Sequence, residues 1–251
     1  MSQVVTRGRG WQGAVLKLLG GDDFRLTVTG SEVVTDHYVR LTFTGGGLLA
    51  KRAPHPTMWI RLWFDDAGRL HQRGYTVVDA DPVADTFGIE FAIHDGIAAR
   101  WAQQAQPGDT INATVMGSRF AMPADGIRGW IIAGDPASLP AINSLLDAIE
   151  ASDRPEMPAT IWLEYQHESD RSLPLRARAH DTVHWIARED EGAALVHAVR
   201  ASAFAAHDHF GWVALDSVST RAVSATLKTE YGMPKRSVKA QAYWIPGKSF
   251  A

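Results

Sequence analysis

The apolar residues of this chain change rhythm part-way along, and that change constrains the fold more than any other feature. From Arg25 to Val115 they mostly recur at every second position, in short segments separated by Gly, Asp and Pro. Side chains on a strand alternate between faces, so Arg25–Thr29, Tyr38–Thr44, Thr57–Phe64, Thr76–Val78, Phe87–Ile93 and Thr110–Val115 read as strands. Six short strands with one helix-like insertion, Ala98–Gln104, predict a small antiparallel barrel. From Gly129 onward, strand-length runs alternate with helix-length ones. Trp130–Ala133, Thr160–Tyr165, Thr182–Ile186, Gly211–Leu215 and Val238–Trp244 read as strands, and Ser138–Ile149, Asp190–Arg200 and Ser217–Tyr231 as helices. That alternation implies βαβ units and a parallel sheet. The changeover at Met122–Gly126 divides a barrel domain, residues 1–122, from an α/β domain, residues 123–251.

Composition narrows the chemistry. The 251 residues carry 25 Lys+Arg against 28 Asp+Glu, a formal charge of -3 that offers no general attraction to nucleic acid. With no cysteine there are no disulfides, thiolate nucleophiles or Fe–S clusters, so redox chemistry requires a bound organic cofactor or a metal held by His and carboxylates. The ten histidines do not assemble a metal set: His180 and His184 enter a strand, and His207 and His209 flank Asp208 in a loop. Charge is unevenly placed, because residues 221–251 hold six bases against the single acid Glu230. No apolar run approaches the ~20 residues that span a bilayer. Lys17 interrupts the N-terminal apolar stretch and no cleavage site follows, so the expected location is cytoplasmic. Trp11, Val15, Leu16, Leu18 and Leu19 form a short amphipathic segment that would pack on the barrel or lean on a membrane or partner.

Common nucleotide and hydrolase signatures are missing. Gly45–Ala50 matches G-x-G-x-x-A formally, but Pro54 and Pro56 follow too soon for the helix that a dinucleotide fingerprint requires. P-loop, H-E-x-x-H and G-x-S-x-G motifs are absent. Arg73-Gly74-Tyr75-Thr76 is more informative. An Arg can fork onto a phosphate, an aromatic ring can pack on a planar cofactor, and a hydroxyl can donate to a ring nitrogen. This motif is expected at the start of a barrel strand. Glu90-Phe91-Ala92-Ile93-His94 follows as the next strand, and Gly96-Ile97-Ala98-Ala99-Arg100-Trp101-Ala102 then opens a helix whose free N–H groups suit a phosphate.

R-x-Y-T, a strand ending in His, G-x-A-x-x-W-A and Pro107-Gly108-Asp109 together resemble the siderophore-interacting FAD-binding family. The likeness continues through Ser118-Arg119-Phe120, Gly134–Ala141, Glu164-Tyr165-Gln166-His167 and Ala240-Gln241-Ala242-Tyr243-Trp244, and covers nearly the whole chain. It is greatest with the reductase domain fused to mycobacterial siderophore ABC transporters. The resemblance implies a Greek-key FAD barrel followed by an NAD(P)H-binding domain, as in ferredoxin reductases. It implies FAD with Arg73 on its phosphates, Gly74 and Tyr75 against the flavin, and Thr76 near N5, with Tyr75 and Thr76 tuning catalysis. Glu90, Phe91, Ala92, Ile93, His94, Gly96, Ala98 and Ala99 would line the cofactor, and Ala242, Tyr243 and Trp244 would close over it. Asp135 and Ser138 would face the nicotinamide nucleotide. Arg119, Lys239 and Lys248 would contact the chelate.

The function implied is a monomeric, cytoplasmic FAD-dependent ferric-siderophore reductase. It would use NAD(P)H, take a mycobactin-like substrate, and sit beside a siderophore ABC transporter at the inner face of the membrane. The alternatives are a general NAD(P)H:flavin or ferric-chelate oxidoreductase and a non-catalytic siderophore-binding accessory. Arg188, after a parallel strand, would favour a 2′-phosphate and hence NADPH, or is a plain surface Arg. Departures from the family pattern are Val78 for a second Arg, Ile97 for Pro, Ala99 for Ser, and Leu215-Asp216-Ser217 for Gly-Glu-Ala.

Overall fold

The structure, a computed structural model, describes residues 21–116, 120–123 and 126–247. The segment Trp11–Leu19 and the residues Arg119 and Lys248 lie outside the described residues. Two sheets carry the fold. The first is antiparallel and seven-stranded, in the order β4-β3-β7-β1-β2-β6-β5. Its strands are β1 (Asp22–Thr35), β2 (Tyr38–Thr44), β3 (Trp59–Asp66), β4 (Arg69–Thr76), β5 (Val78–Asp81), β6 (Thr86–Ala92) and β7 (Thr110–Val115). Two short helices decorate it, α1 (Leu48–Lys51) and α2 (Ile97–Gln104).

This sheet differs from the expected six-stranded barrel, and the reasons are local. Ala67 (φ 50°) and Gly68 (φ 88°) make a two-residue turn with both residues left-handed, which folds β4 back on β3. The β4 sequence Arg69–Thr76 is mostly polar, so its alternation is silent in hydropathy. Arg73–Thr76 consequently ends a strand instead of starting one. β1 is longer than expected because shifts of register at Val28/Gly30 and Val33/Thr35 bend it, letting it pair with β7 and then β2. Val77 alone separates β4 from β5, the two ends of the sheet, so the sheet curls into a half-barrel whose seam lies at this connection. Alternate residues Leu26 and Val28, Leu41 and Phe43, Ile60 and Leu62, and Phe87, Ile89 and Phe91 fill its interior.

The second sheet is parallel and five-stranded, in the order β10-β9-β8-β11-β12. It comprises β8 (Gly129–Gly134), β9 (Ala159–Tyr165), β10 (Thr182–Ala187), β11 (His209–Ala214) and β12 (Val238–Ala240). Its three helices are α3 (Leu139–Glu150), α4 (Ala193–Ala201) and α5 (Ser217–Thr229). Alternation again decides the packing. Trp130, Ile132, Ile161 and Leu163 face α3, whereas Ile131, Ala133, Trp162 and Val213 face α4 and α5. The expected helix from Asp190 begins only at Ala193, because Asp190, Glu191 and Gly192 are all left-handed (φ 47°, 55° and 96°). The α3 face also takes in Tyr38 and Ala92 of the first sheet, which joins the two halves. The strand order reverses at β8, so the crevice for a ligand is expected at the carboxyl ends of β8 and β11. No helix among the described residues is long and apolar enough to cross a membrane.

Candidate functional site

On the barrel side, β3 and β4 set the geometry. Tyr75 pairs with Ile60 and Arg73 with Leu62, which places both side chains on the face toward the barrel interior. The Tyr75 ring lies 4.4 Å from Phe91 and 6.2 Å from Phe64, and Trp101 of α2 lies 5.7 Å from Phe64. The result is an aromatic wall at the barrel mouth. Burial pushes the Tyr75 phenol well above its ordinary range, partly offset by Arg73, so it stays neutral. Arg73 Nη1 donates to the Gln72 carbonyl at 2.7 Å. Gly74 lies so close to Trp59 that a Cβ would come within 3.3 Å of the indole.

Beside this wall, α2 begins at Gly96 with no side-chain cap and no acid in its first turn. The first helical bond runs from Arg100 N–H to the Gly96 carbonyl (3.0 Å), which leaves the preceding amides outside the helix ladder. Ala98 and Ala99 are buried and small. Gly96 accommodates the His94 imidazole, which a Cβ would meet at 2.8 Å. An uncapped helix start and an Arg supply the donors, and an aromatic wall the packing face, that an anionic planar dinucleotide needs, so these residues fit FAD.

The remaining barrel residues separate by face. Phe91 and Ile93 pack in the barrel core, but Ala92 turns to the second half and Glu90 is committed to partners on β2. Glu90 accepts from Tyr38 Oη at 2.9 Å and from Arg40 at 3.3 Å. Arg40 also pairs with Asp79 (2.5 Å), which Arg176 of the second half reaches at 2.7 Å. Burial raises the Glu90 carboxyl, against the pull of Tyr38 and Arg40. Thr76 is buried, and its side chain lies beside the Tyr243 phenol from the second half.

At the carboxyl edge of the parallel sheet, four neighbouring strands deliver charge. β8 leads into Asp135, β9 carries Glu164, β10 leads into Arg188, and β11 leads to Asp216. Asp135 and Ser138 hold their own turn, Ser138 N–H donating to Asp135 Oδ1 at 3.0 Å and Asp135 N–H to Ser138 Oγ at 2.9 Å. Asp135 Oδ2 accepts from Trp244 Nε1 at 2.7 Å. Arg188 pairs with Glu164 and Asp216, donates to the Glu191 carbonyl (3.1 Å), and stacks over the Trp244 ring at 4.8 Å. Asp216 also caps α5 through Val218 and Ser219 N–H. Burial raises the carboxyls of Asp135 and Glu164. Burial works the same way on Asp216, but Ser219, Val218 and Arg188 outweigh it and hold that group below its ordinary range.

Arg188 is therefore neither a plain surface Arg nor free for a 2′-phosphate: its guanidinium is turned inward and braces Trp244. Tyr38 and Arg40 lie outside the motifs quoted above, and Glu164 and Asp216 lie inside them without an assigned role. An acid inside the apolar strand Thr160–Tyr165 is the sequence signal for Glu164, since a buried carboxylate demands a partner. Lys239 is exposed on β12. His184 stacks on Trp162, and His209 hydrogen-bonds Asp208.

A curled antiparallel sheet that meets a parallel one at an R-x-Y-T strand end defines the ferredoxin-reductase-like class. Ferredoxin-NADP+ reductase from Plasmodium falciparum superposes with a TM-score of 0.68 at 12% identity, covering 89% of this chain and 96% of that one. The siderophore-interacting protein SipS from Aeromonas hydrophila gives 0.77 at 21% identity, covering 90% and 93%. Two family models match the chain, the siderophore-interacting FAD-binding domain over residues 18–119 and siderophore-interacting protein over residues 127–247. The chain belongs to the siderophore-interacting protein family. It is 33% identical over 247 residues to the mycobactin import ATP-binding/permease protein IrtA of Mycolicibacterium smegmatis, covering 96% of this chain but 28% of that relative's length. An NADPH-dependent ferric-chelate reductase of Escherichia coli is 26% identical, covering 83% of this chain and 74% of that protein.

Proposed function

We infer that this chain is an FAD-dependent ferric-siderophore reductase. The observation that carries the reading is the convergence of Arg73 and Tyr75 with the uncapped start of α2, in one chain with the parallel-sheet crevice. Residues 1–122 would hold the cofactor and 123–251 the nicotinamide nucleotide. When bound, FAD supplies the conversion between hydride transfer and single-electron transfer, and NAD(P)H is the hydride source.

Every other part belongs to the chain. Arg73 and the amides of Ile97–Ala99 neutralise the phosphates, with His94 beside them. Tyr75, backed by Phe91, offers a flat neutral face to the ring system. Thr76 and Tyr243 meet between that face and the second half, so Ala242–Trp244 would close the cleft. Asp135 and Ser138 hold the turn at the crevice, and Lys239 offers positive charge to an anionic chelate. No acid/base pair is required, because reduction to Fe(II) itself weakens the hold of hard oxygen ligands.

The mycobacterial relatives favour a mycobactin-like substrate and a transporter neighbour at the inner membrane face; the Escherichia coli relative favours the broader reading of a general ferric-chelate reductase. The test is the visible spectrum of purified protein before and after anaerobic NADPH or NADH, followed by reoxidation with ferric mycobactin, a ferric hydroxamate or ferric citrate. Flavin bands that bleach and are restored fastest by a siderophore support the reading. Equal rates with all chelates favour the general reductase. A colourless protein that fails to bind added FAD overturns both.

A further inference from the structure

A second surface, away from the flavin-side wall, carries features that the redox reading does not use. A groove of about 730 Å³ runs between α5 and the outer strand β12. Its helix wall is Ser217, Thr220, Arg221, Ser224 and Lys228, and its strand wall is Val238 and Ala240. No acidic side chain lines it. Arg221, Lys228 and Lys235, all exposed, stand along it, and among the described residues none of the three is in an ion pair. The single acid of residues 221–251, Glu230, is already paired with Arg200 at 2.8 Å. The groove is therefore positively charged in a chain whose net charge is -3.

The strand wall is also an open edge. β12 is the last strand of its sheet. Gln241 and Tyr243 donate inward to the Val213 and Leu215 carbonyls, both at 2.9 Å. Backbone N–H groups alternate along a strand, so those of Ala240 and Ala242 point outward, and no described residue accepts from either. Val238 to Ala242 spans roughly 13 Å at ~3.3 Å per residue, and Arg221 and Lys228 lie two helical turns, roughly 10.5 Å, apart beside it.

We propose that this groove receives an extended acidic polypeptide segment of a partner, which adds a strand to the β12 edge and sets its carboxylates against Arg221, Lys228 and Lys235. The unpaired edge amides favour an extended backbone over a compact anion. The absence of acids favours carboxylate side chains. The proposal does not rest on the redox reading, although Ala242, whose amide lies on this edge, is also assigned there to the cover of the cofactor cleft.

The test is fluorescence anisotropy of the full chain with a fluorescein-labelled peptide of alternating Glu and Val. Comparison peptides are an alternating Lys and Val peptide and the Glu peptide N-methylated at alternate residues. Binding of the Glu peptide alone, weakened at least tenfold by N-methylation and by the double substitution Arg221→Glu/Lys228→Glu, supports the proposal. Both substitutions are at exposed positions, and circular dichroism verifies that the variant folds. A Glu peptide that binds no better than the Lys peptide, or that tolerates N-methylation, overturns strand addition. So does protein that sediments with phosphatidylserine vesicles but ignores the peptide, which would assign the basic face to lipid.

Discussion

The barrel wall and the sheet edge, which the functional reading sets on one cleft, are built from opposite materials. Tyr75, Phe91, Phe64 and Trp101 form a neutral wall held by apolar contact. Glu164 and Asp216 pair with Arg188 in a buried cluster around one cation, which Asp135 joins through Trp244. An apolar wall loses stability in proportion to the area removed. A buried ion cluster fails when one member goes, because the charges left behind cannot reach water. The difference also separates roles: the neutral wall offers surface to a ligand, whereas the cluster spends its charges internally and positions Trp244.

The largest break in this comparison is Arg188→Met. It strands Glu164 and Asp216, and unfolding in urea is expected to show a loss of about 3–5 kcal/mol. The double variant Arg188→Met/Glu164→Gln should recover part of that loss. A single variant as stable as the wild type would show that the cluster is not coupled.

On the barrel side, Arg73→Ala should weaken FAD binding about 10–100-fold, the loss of a charge-assisted contact. Flavin fluorescence titration reads this directly. Unchanged affinity would remove Arg73 from the phosphate site.

A smaller effect distinguishes the carboxyls by pH. Asp135 and Glu164, raised by burial, keep their protons in the fold over a window where the unfolded chain has released them. Stability therefore falls as pH rises from the ordinary carboxylate value through the raised one. Asp216 has the opposite sign: its contribution is present above the ordinary value and lost as pH falls through the depressed one. Asp135→Asn keeps an oxygen for Trp244 Nε1 and removes one raised group. The stability–pH slope in that window should become shallower, by at most about 1.4 kcal/mol per pH unit. A steeper slope would contradict the raised assignment.

The smallest effect is expected between the halves, at Asp79–Arg176, whose side chains are 37% and 35% exposed. Arg176→Gln should cost about 0–1 kcal/mol, less in high salt. A loss of several kcal/mol would mark this pair as a main fastening instead of the packing of Tyr38 and Ala92 on the second half.

The legibility of these regions follows from what each depends on. R-x-Y-T and G-x-A-x-x-W-A are contiguous, so their neighbourhood was visible in the sequence. The polar strand Arg69–Thr76 was not, because its pairing rests on the Ala67-Gly68 turn and not on hydropathy. The sheet-edge cluster was invisible as a unit. Its members are up to 81 residues apart, from Asp135 to Asp216, and only the side-by-side order of β10, β9, β8 and β11 assembles them. Arg188 shows the consequence, since a basic residue after a parallel strand looks the same in sequence whether it turns outward to a phosphate or inward to Glu164.

By itself, the sequence determined the change from an antiparallel to a parallel sheet, the alternating cores and the cofactor motif, because each depends on periodicity or on residues adjacent in the chain. The tertiary structure alone decided the seventh strand and the facing of Glu90 away from Phe91. It also decided the approach of Tyr243 to Thr76 and the inward turn of Arg188. These depend on which strands become neighbours and which face each side chain takes, and burial then makes an unpaired charge or donor too costly to leave without the partner that folding supplies.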